Sequence, residues 1–88
     1  MTYSIEFNKD ALKYLQKLDK PTRTRIVQHL QILSENPYHT ELDIKRMQGT
    51  TGDYRLRVGS FRVIYSVKDA VLLIYVIKIG SRGDVYKS

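Results

Sequence analysis

Apolar and polar residues alternate at the start of the chain, where Tyr3, Ile5 and Phe7 are separated by Ser4 and Glu6. A repeat of two residues is typical of a strand that buries one face, because successive side chains of a strand point to opposite sides. The chain is therefore predicted to begin with a half-buried strand.

The repeat lengthens to that of a helix after Asn8, whose side chain can accept a hydrogen bond from the next turn and so cap the helix. This first helix is predicted to end near Asp19-Lys20. Pro21 suits the first residue of a second helix, which Asn36-Pro37 should end. The apolar faces of the two predicted helices consist of Ala11, Leu12, Leu15 and Leu18, and of Ile26, Val27, Leu30 and Leu33.

Strand patterns return in the second half of the chain. Residues 37–52 are polar and rich in turn-forming residues, and they are predicted to form a loop. Residues 53–58 and 61–67 have the alternation of two strands, and Gly59-Ser60 between them suits a type II′ hairpin turn. Residues 71–78 are apolar on both faces, which predicts a central strand.

The predicted order of elements is β-α-α-β-β-β, with an optional short last strand over residues 85–87. This order predicts an α+β fold in which the N-terminal strand and the helix pair pack on one face of a small, mainly antiparallel sheet. A single domain, 1–88, is expected, because single domains usually contain about 100–150 residues.

The composition excludes several functional classes. The chain has no cysteine, which rules out disulfides, a thiolate nucleophile and a cysteine-based zinc site. Neither His29 nor His39 lies in an acidic pattern, so no metal site and no cofactor are expected. No apolar run approaches the roughly 20 residues that cross a bilayer, and the N-terminus lacks a signal-peptide pattern. A cytoplasmic protein without a membrane partner is therefore expected.

The net charge is +6, and it is unevenly distributed along the chain. Residues 1–44 contain as many basic as acidic residues, so residues 45–88 carry the whole excess. A domain polarised in this way favours a polyanionic partner, either a nucleic acid or an acidic protein.

The two-residue turn at Gly59-Ser60 fixes which side chains of the hairpin lie opposite each other. It places Arg57 opposite Arg62 and Arg55 opposite Ile64, and cross-strand partners share a face. Three arginines are therefore predicted on one open face. The opposite face holds the apolar set Tyr54, Leu56, Val58, Phe61, Val63 and Tyr65.

Arg57 opposite Arg62 disfavours the hairpin by up to about 1 kcal/mol, because like charges repel across the strands. A site for phosphate or carboxylate explains the convergence of Arg55, Arg57 and Arg62, since a guanidinium can bind such anions with two hydrogen bonds. The alternative is that these arginines only keep an exposed face soluble and discourage edge pairing.

The sequence around the hairpin and at the C-terminal end resembles the RelE/ParE toxin superfamily, nearest its RelE branch. The motifs that carry the likeness are YRLRV at 54–58, FRVIY at 61–65 and IGSRGDVY at 79–86, and the likeness extends over nearly the whole chain. The resemblance implies the toxin of a type II toxin–antitoxin pair, an endoribonuclease that cleaves mRNA in the ribosomal A site. Its partners would be a cognate antitoxin, the ribosome and mRNA.

The resemblance also assigns site residues. The family positions that surround the scissile phosphate match Arg62, Arg82, Tyr86 and Arg57, which are the catalytic candidates. The expected reaction is metal-independent attack by the substrate's own 2′-hydroxyl. An arginine cannot serve as the general base because it stays charged, so Tyr86 is the expected proton acceptor. The RNA-binding candidates are Arg55, Lys45, Arg46, Lys78 and Lys87.

Two other functions fit the same sequence. A ParE-type toxin would inhibit DNA gyrase by binding the enzyme, and it shares the fold. A noncatalytic RNA-binding module would hold backbone phosphates on the arginine face without cleaving the strand, and its binding would weaken with salt.

Overall fold

The computed structural model describes residues 2–38, 41–49 and 52–81. It is an α+β fold with a helix pair and a five-stranded sheet, as the sequence predicts. The elements are β1 (Ser4–Phe7), α1 (Lys9–Lys17), α2 (Lys20–Glu35), β2 (Ile44–Arg46), β3 (Asp53–Val58), β4 (Phe61–Lys68) and β5 (Leu73–Ser81).

α1 begins after the predicted cap Asn8, but it ends at Lys17, before the predicted Asp19-Lys20, and α2 begins at Lys20, one residue before the predicted Pro21. The Asn8 side chain accepts a hydrogen bond from the backbone N–H of Asp10 at 2.9 Å. The Asp19 carboxylate does the same for the N–H of Thr22 at 3.4 Å, and Pro21 lies in the first turn of α2. These contacts satisfy N–H groups that have no partner within a helix.

The sheet order is β1-β5-β4-β3-β2. β1 runs parallel to β5, and the other neighbours are antiparallel. The core lies between the helices and one face of the sheet. Its members from the helices are Ala11, Leu15, Ile26, Leu30 and Leu33, and those from the sheet are Leu56, Val58, Val63, Tyr65, Ile74, Val76 and Ile79.

The segment predicted as a loop over residues 37–52 contains a strand, β2, so that prediction is wrong for Ile44–Arg46. A strand of this length has too few residues to show an alternation. Pairing with β3 holds it in place: Ile44 lies opposite Leu56, and the N–H of Arg57 donates to the carbonyl of Asp43 at 2.9 Å.

The last described strand is shifted from its predicted position. A 3-10 turn at Asp69–Val71 precedes it, and Leu72 has a left-handed φ of 50°, so β5 begins at Leu73 instead of residue 71. It also runs past residue 78 to Ser81. The optional strand over residues 85–87 lies outside the described residues.

β5 contains one residue more than its partner strand. Ile64 lies opposite Lys78 and Tyr65 lies opposite Val76, so Ile77 has no counterpart on β4. This is a β-bulge, which shifts the alternation of side chains by one position. As a result, Lys78 lies on the same face as Ile64 instead of facing the helices.

Within the described residues, no helix is long and apolar enough to cross a membrane.

Candidate functional site

The hairpin formed by β3 and β4 has the register that the sequence predicts. Arg57 lies opposite Arg62, and Arg55 lies opposite Ile64. Gly59 has a φ of 60°, which the first position of a type II′ turn requires. The arginine face, defined here as Arg55, Arg57 and Arg62, is therefore on the side of the sheet away from the helices.

The three arginines differ in exposure. Arg57 is exposed and Arg55 is half-buried, but Arg62 is only 6% exposed. The expectation of three arginines on an open surface is therefore wrong for Arg62. Arg62 lies on β4, which has β3 on one side and β5 on the other, so it is not at an edge of the sheet.

The guanidinium of Arg62 is buried without hydrogen-bond partners on two of its nitrogens. Within the described part of the chain, neither Nε nor Nη1 has an acceptor. On β5 its opposite residue is Gly80, which has no side chain. Burying a charged group without a partner costs several kcal/mol in stability, so native proteins seldom keep one without a functional reason. The N–H groups of a guanidinium fit the oxygens of a phosphate or carboxylate.

Arg55 and the adjoining strand β2 extend the basic surface to the edge of the sheet. Lys45 lies opposite Arg55, so the two share a face. Arg46 lies opposite Tyr54, so its side chain leaves the strand on the other face of the sheet. Even so, a depression of about 370 Å³ at this edge is lined by Lys45, Arg46, Met47, Gln48 and Arg55. The carboxylate of Asp43 lies 3.8 Å from Nη2 of Arg55.

Lys78 joins the basic surface from the other side because of the β5 bulge. Its partner on β4 is Ile64, and the partner of Ile64 on β3 is Arg55. Lys45, Arg55 and Lys78 therefore belong to one cross-strand row. The pair Arg57 and Arg62 forms the next row toward the hairpin turn.

Three of the candidate residues, Arg82, Tyr86 and Lys87, lie outside the described residues, and their roles stay predictions. β5 ends at Ser81, which lies opposite Phe61, immediately before Arg62 in the chain.

A polar cluster at the other end of the hairpin was not predicted. We call it the tyrosine cluster, and it consists of Tyr3, Tyr38, Tyr54, Tyr65 and Asp69. The Asp69 carboxylate accepts hydrogen bonds from the phenol of Tyr3 at 2.6 Å and from that of Tyr38 at 2.9 Å. The ring of Tyr54 lies edge-on to Tyr38, with centroids 5.9 Å apart, and stacks on Tyr65 at 5.7 Å. These contacts join distant parts of the chain, so no local sequence signal marks them.

The pKa values of this cluster are shifted by the same contacts. The phenols that donate to Asp69 hold its carboxyl pKa below the ordinary value. Burial, followed by the hydrogen bond to Asp69, raises the pKa of Tyr38 to about 12. The hydrogen bond to Asp69 also raises the pKa of Tyr3. Both phenols therefore remain protonated donors at neutral pH, which suits a structural contact and not proton transfer.

His29, for which the sequence predicts no catalytic role, contacts its own helix. Its Nδ1 lies 2.7 Å from the carbonyl oxygen of Arg25. Within the described residues, no group of three or more histidine or acidic side chains is arranged to hold a metal ion. His39 lies outside those residues.

A family model described as the ParE toxin of the type II toxin–antitoxin system, parDE, matches residues 5–86. The chain belongs to the RelE/ParE toxin family. This confirms the resemblance that the hairpin motifs indicated. The protein is thus a toxin of the type II toxin–antitoxin class.

Relatives within the RelE/ParE family match over almost the full length. A protein of Escherichia coli named as a RelE-like toxin is 36% identical over 90 residues, which cover 98% of this chain and 92% of that protein. The mRNA interferase toxin RelE of Escherichia coli strain K12 is 28% identical over 90 residues, which again cover 98% and 92% of the two chains. In the crystal structure of the archaeal RelE–RelB complex from Pyrococcus horikoshii OT3, a chain with 34% identity superposes with a TM-score of 0.81, covering 96% of this chain and 99% of that one.

Proposed function

We propose that this RelE/ParE-family toxin is an endoribonuclease that cleaves mRNA in the ribosomal A site. The observation that supports it most directly is the buried guanidinium of Arg62, which has two nitrogens without acceptors and lies opposite the exposed Arg57. Such a pair provides N–H donors for a phosphate from two strands. The relative named as an mRNA interferase supports the choice of RNA as substrate.

In the proposed reaction, the 2′-oxygen of the substrate attacks the adjacent phosphorus atom, and the bond between phosphorus and the 5′-oxygen breaks. The products are a 2′,3′-cyclic phosphate and a 5′-hydroxyl. One proton leaves the attacking 2′-hydroxyl, and another is delivered to the departing 5′-oxygen. No metal ion is required in this scheme.

Arg57 and Arg62 act in this scheme by electrostatics. Phosphoryl transfer depends mainly on positioning the reacting groups and on stabilising negative charge on the phosphate oxygens, which fixed guanidinium groups can do. Neither arginine can accept the proton, because its pKa stays above about 12. We assign the acceptor role to Tyr86, with Arg82 as a further phosphate ligand. Lys45, Arg46, Arg55, Lys78 and Lys87 would bind the flanking RNA.

Two kinds of macromolecule would bind the basic surface that includes the arginine face. We propose that a cognate antitoxin neutralises the toxin, since the similar archaeal RelE was crystallised with RelB. Acidic side chains of such an antitoxin would complement the net charge of +6. The ribosome and its mRNA would be the target, which places the activity in the cytoplasm.

The test is induced expression of the toxin followed by primer extension on a translated message. The same message with its start codon removed serves as the untranslated control. We expect cleavage at codon-dependent positions of the translated message only. Equal cleavage of both messages would contradict ribosome dependence, and binding without any cleavage would indicate the noncatalytic RNA-binding module.

A second candidate is a ParE-type inhibitor of DNA gyrase, which the match to the ParE model favours. A gyrase supercoiling assay with the purified toxin separates the two. Inhibition of supercoiling, with no cleavage of translated mRNA, would establish this candidate in place of the nuclease.

A further inference from the structure

The tip of the β3–β4 hairpin is flanked by two guanidinium groups. On one side, Nε of Arg57 donates to the carbonyl of Gly59 at 3.4 Å. On the other side, Nη2 and Nη1 of Arg25 lie 3.6 Å and 3.7 Å from the point that a Cβ atom on Gly59 would occupy. Arg25 comes from α2, so the helix and the hairpin together place these two charges around one residue.

Neither guanidinium is neutralised by the protein. Arg25 and Arg57 are both exposed, and within the described part of the chain neither forms an ion pair with a carboxylate. Two like charges around one turn repel each other, so a bound anion would relieve a local excess of positive charge.

The surroundings of Arg25 offer a further hydrogen-bond donor. A depression of about 170 Å³ at the tip is lined by Thr22, Arg25, Val58, Gly59, Ser60 and Phe61. The hydroxyl of Ser60 suits a phosphate oxygen, which proteins bind through serine as well as arginine, whereas the side chain of Thr22 already hydrogen-bonds the Asp19 carboxylate. Val58 is buried, so the depression has little of the apolar surface that an amphipathic helix needs for docking.

The tip is continuous with the arginine face. Arg57 is the cross-strand partner of Arg62 and also contacts Gly59, above which Arg25 lies. Arg62, Arg57 and Arg25 therefore follow one another from the face of the sheet around the turn. A single strand of nucleic acid has regularly repeated phosphates, which can follow such a series of cations.

We propose that Arg25, with Ser60, binds a second phosphate of the RNA strand, next to the phosphate held by Arg57 and Arg62. This subsite rests on the proposed function, because it assumes that RNA occupies the arginine face. It would hold the strand on the hairpin side of the scissile bond, and Arg25 itself would take no part in the chemistry.

The test measures binding of fluorescent RNA with 2′-O-methyl groups, which cannot be cleaved by 2′-hydroxyl attack. A dinucleotide with a single phosphodiester is compared with a longer single-stranded oligonucleotide. We expect Arg25→Gln to weaken binding of the longer RNA about 10-fold, as the loss of a charged hydrogen bond would, and to leave the dinucleotide unaffected. The slope of log K against log salt should fall by about 0.7, the value for one phosphate of a single strand.

Two further variants make the result specific. Lys13→Gln removes the same charge from the exposed surface of α1, and we expect it to bind both RNAs like the wild type. Arg25→Lys keeps the charge and should retain most of the affinity. Circular dichroism on each variant checks that the fold is intact.

The outcomes separate this subsite from the proposed function. If Arg25→Gln binds the longer RNA as the wild type does, or if the wild type does not bind it, the subsite is wrong whatever the cleavage assay gives. If Arg25→Gln loses affinity for an acidic antitoxin peptide but not for RNA, the tip belongs to the antitoxin and the subsite is also wrong. If the subsite behaves as expected but translated mRNA is not cleaved, only the proposed function fails.

Discussion

The polar groups at the two ends of the β3–β4 hairpin differ in how they are paired. At the open end, the tyrosine cluster directs two phenols onto the carboxylate of Asp69, and these groups satisfy one another within the chain. At the turn end, Arg57 and Arg62 lie opposite each other, and no carboxylate within the described residues pairs with either. The open end of this pair of strands therefore has a carboxylate that is paired by two phenols, whereas the turn end has no counter-charge among the described residues.

This difference shows which end serves the fold and which serves a ligand. Buried polar groups normally find partners within the protein, since leaving them without partners lowers stability. Tyr3, Tyr38 and Asp69 are partly or largely exposed, and they nevertheless pair with one another. The buried guanidinium of Arg62 departs from the rule, and sites that depart from such rules are where functional residues are expected. Stability should therefore depend on the first end, and activity on the second.

The largest expected effect is the loss of cleavage in Arg62→Met. Removing one charge-stabilising donor from an active site lowers the rate about 10²- to 10³-fold. Stability should be unchanged or higher, because an apolar side chain of similar length replaces a buried charge that has two nitrogens without acceptors in the described residues. Cleavage of translated mRNA and urea denaturation measure the two quantities.

Val63→Ala is the matched control for Arg62→Met, because Val63 follows Arg62 on β4 but is fully buried on the helix face. It should lower stability by creating a cavity, while the folded fraction keeps its cleavage activity. An Arg62→Met protein that fails to fold would show that this arginine supports the structure, and the contrast between the two ends would be lost.

The next effect concerns stability and its dependence on pH. Asp69→Asn should destabilise the protein, because it removes the charged acceptor shared by Tyr3 and Tyr38. In the wild type, the lowered pKa of Asp69 contributes stability that is present above the unfolded value near 3.8 and is lost as the pH falls through the folded pKa. The variant should lack this acid-dependent part of the unfolding free energy.

In the alkaline range, the expected change of stability with pH has the opposite sign. The pKa of Tyr38 is raised to about 12, so its contribution is present below the unfolded value of 10.0 and is lost as the pH rises through about 12. Urea unfolding across the pH range, compared with Tyr38→Phe, measures this contribution. An alkaline decline of the same size in both proteins would argue against a role for Tyr38.

A smaller effect, and one of opposite direction, is expected for Tyr65→Phe. The hydroxyl of Tyr65 is buried and has no hydrogen-bond partner in the described residues. Burial raises the pKa of this phenol, which reflects the same lack of solvent. Removing the hydroxyl should therefore raise the free energy of unfolding by about 1 kcal/mol. In the control Tyr14→Phe, at a partly exposed position, a change within about 0.5 kcal/mol is expected. Destabilisation by Tyr65→Phe would mean that the hydroxyl has a partner.

The smallest effect is expected for Asp43→Asn. Its carboxylate is 49% exposed and lies 3.8 Å from Arg55, and such surface pairs contribute less than about 1 kcal/mol. The pairing of β2 with β3 should persist, because the Asp43 carbonyl, not its side chain, accepts from Arg57. Stability measured at low and high salt checks this, since a screened pair should show little difference between the proteins at high salt. A large loss of stability at both salt concentrations would contradict this expectation.

The parts of the fold that the sequence predicted well are those fixed by local patterns. Asn8 marks the start of α1 because capping uses a side chain and a backbone group a few residues apart, and Pro21 marks the first turn of α2. The register of the hairpin follows from Gly59-Ser60, since a turn of known length fixes every cross-strand pair. Because the register was known, the sequence could predict which arginines share a face.

The features that were missed depend on contacts between distant segments. β2 is held by its partner β3 and has no alternation of its own. The burial of Arg62 does not follow from the hairpin register, which gives the face of the side chain but not how deeply it is covered. Asp69 gathers phenols from residues 3 and 38, which are far from it in the sequence.

The extra residue in β5 makes one point of this strand tolerant of a change in length. Without Ile77, Val76 and Lys78 would be adjacent and would still point to opposite sides of the sheet, so both could keep their partners on β4. Losing a residue elsewhere, such as Ile74, would instead turn part of the strand over and bring polar side chains into the interior. Homologous chains that preserve the basic surface should therefore accept a one-residue deletion at Ile77 more readily than at other positions of β5.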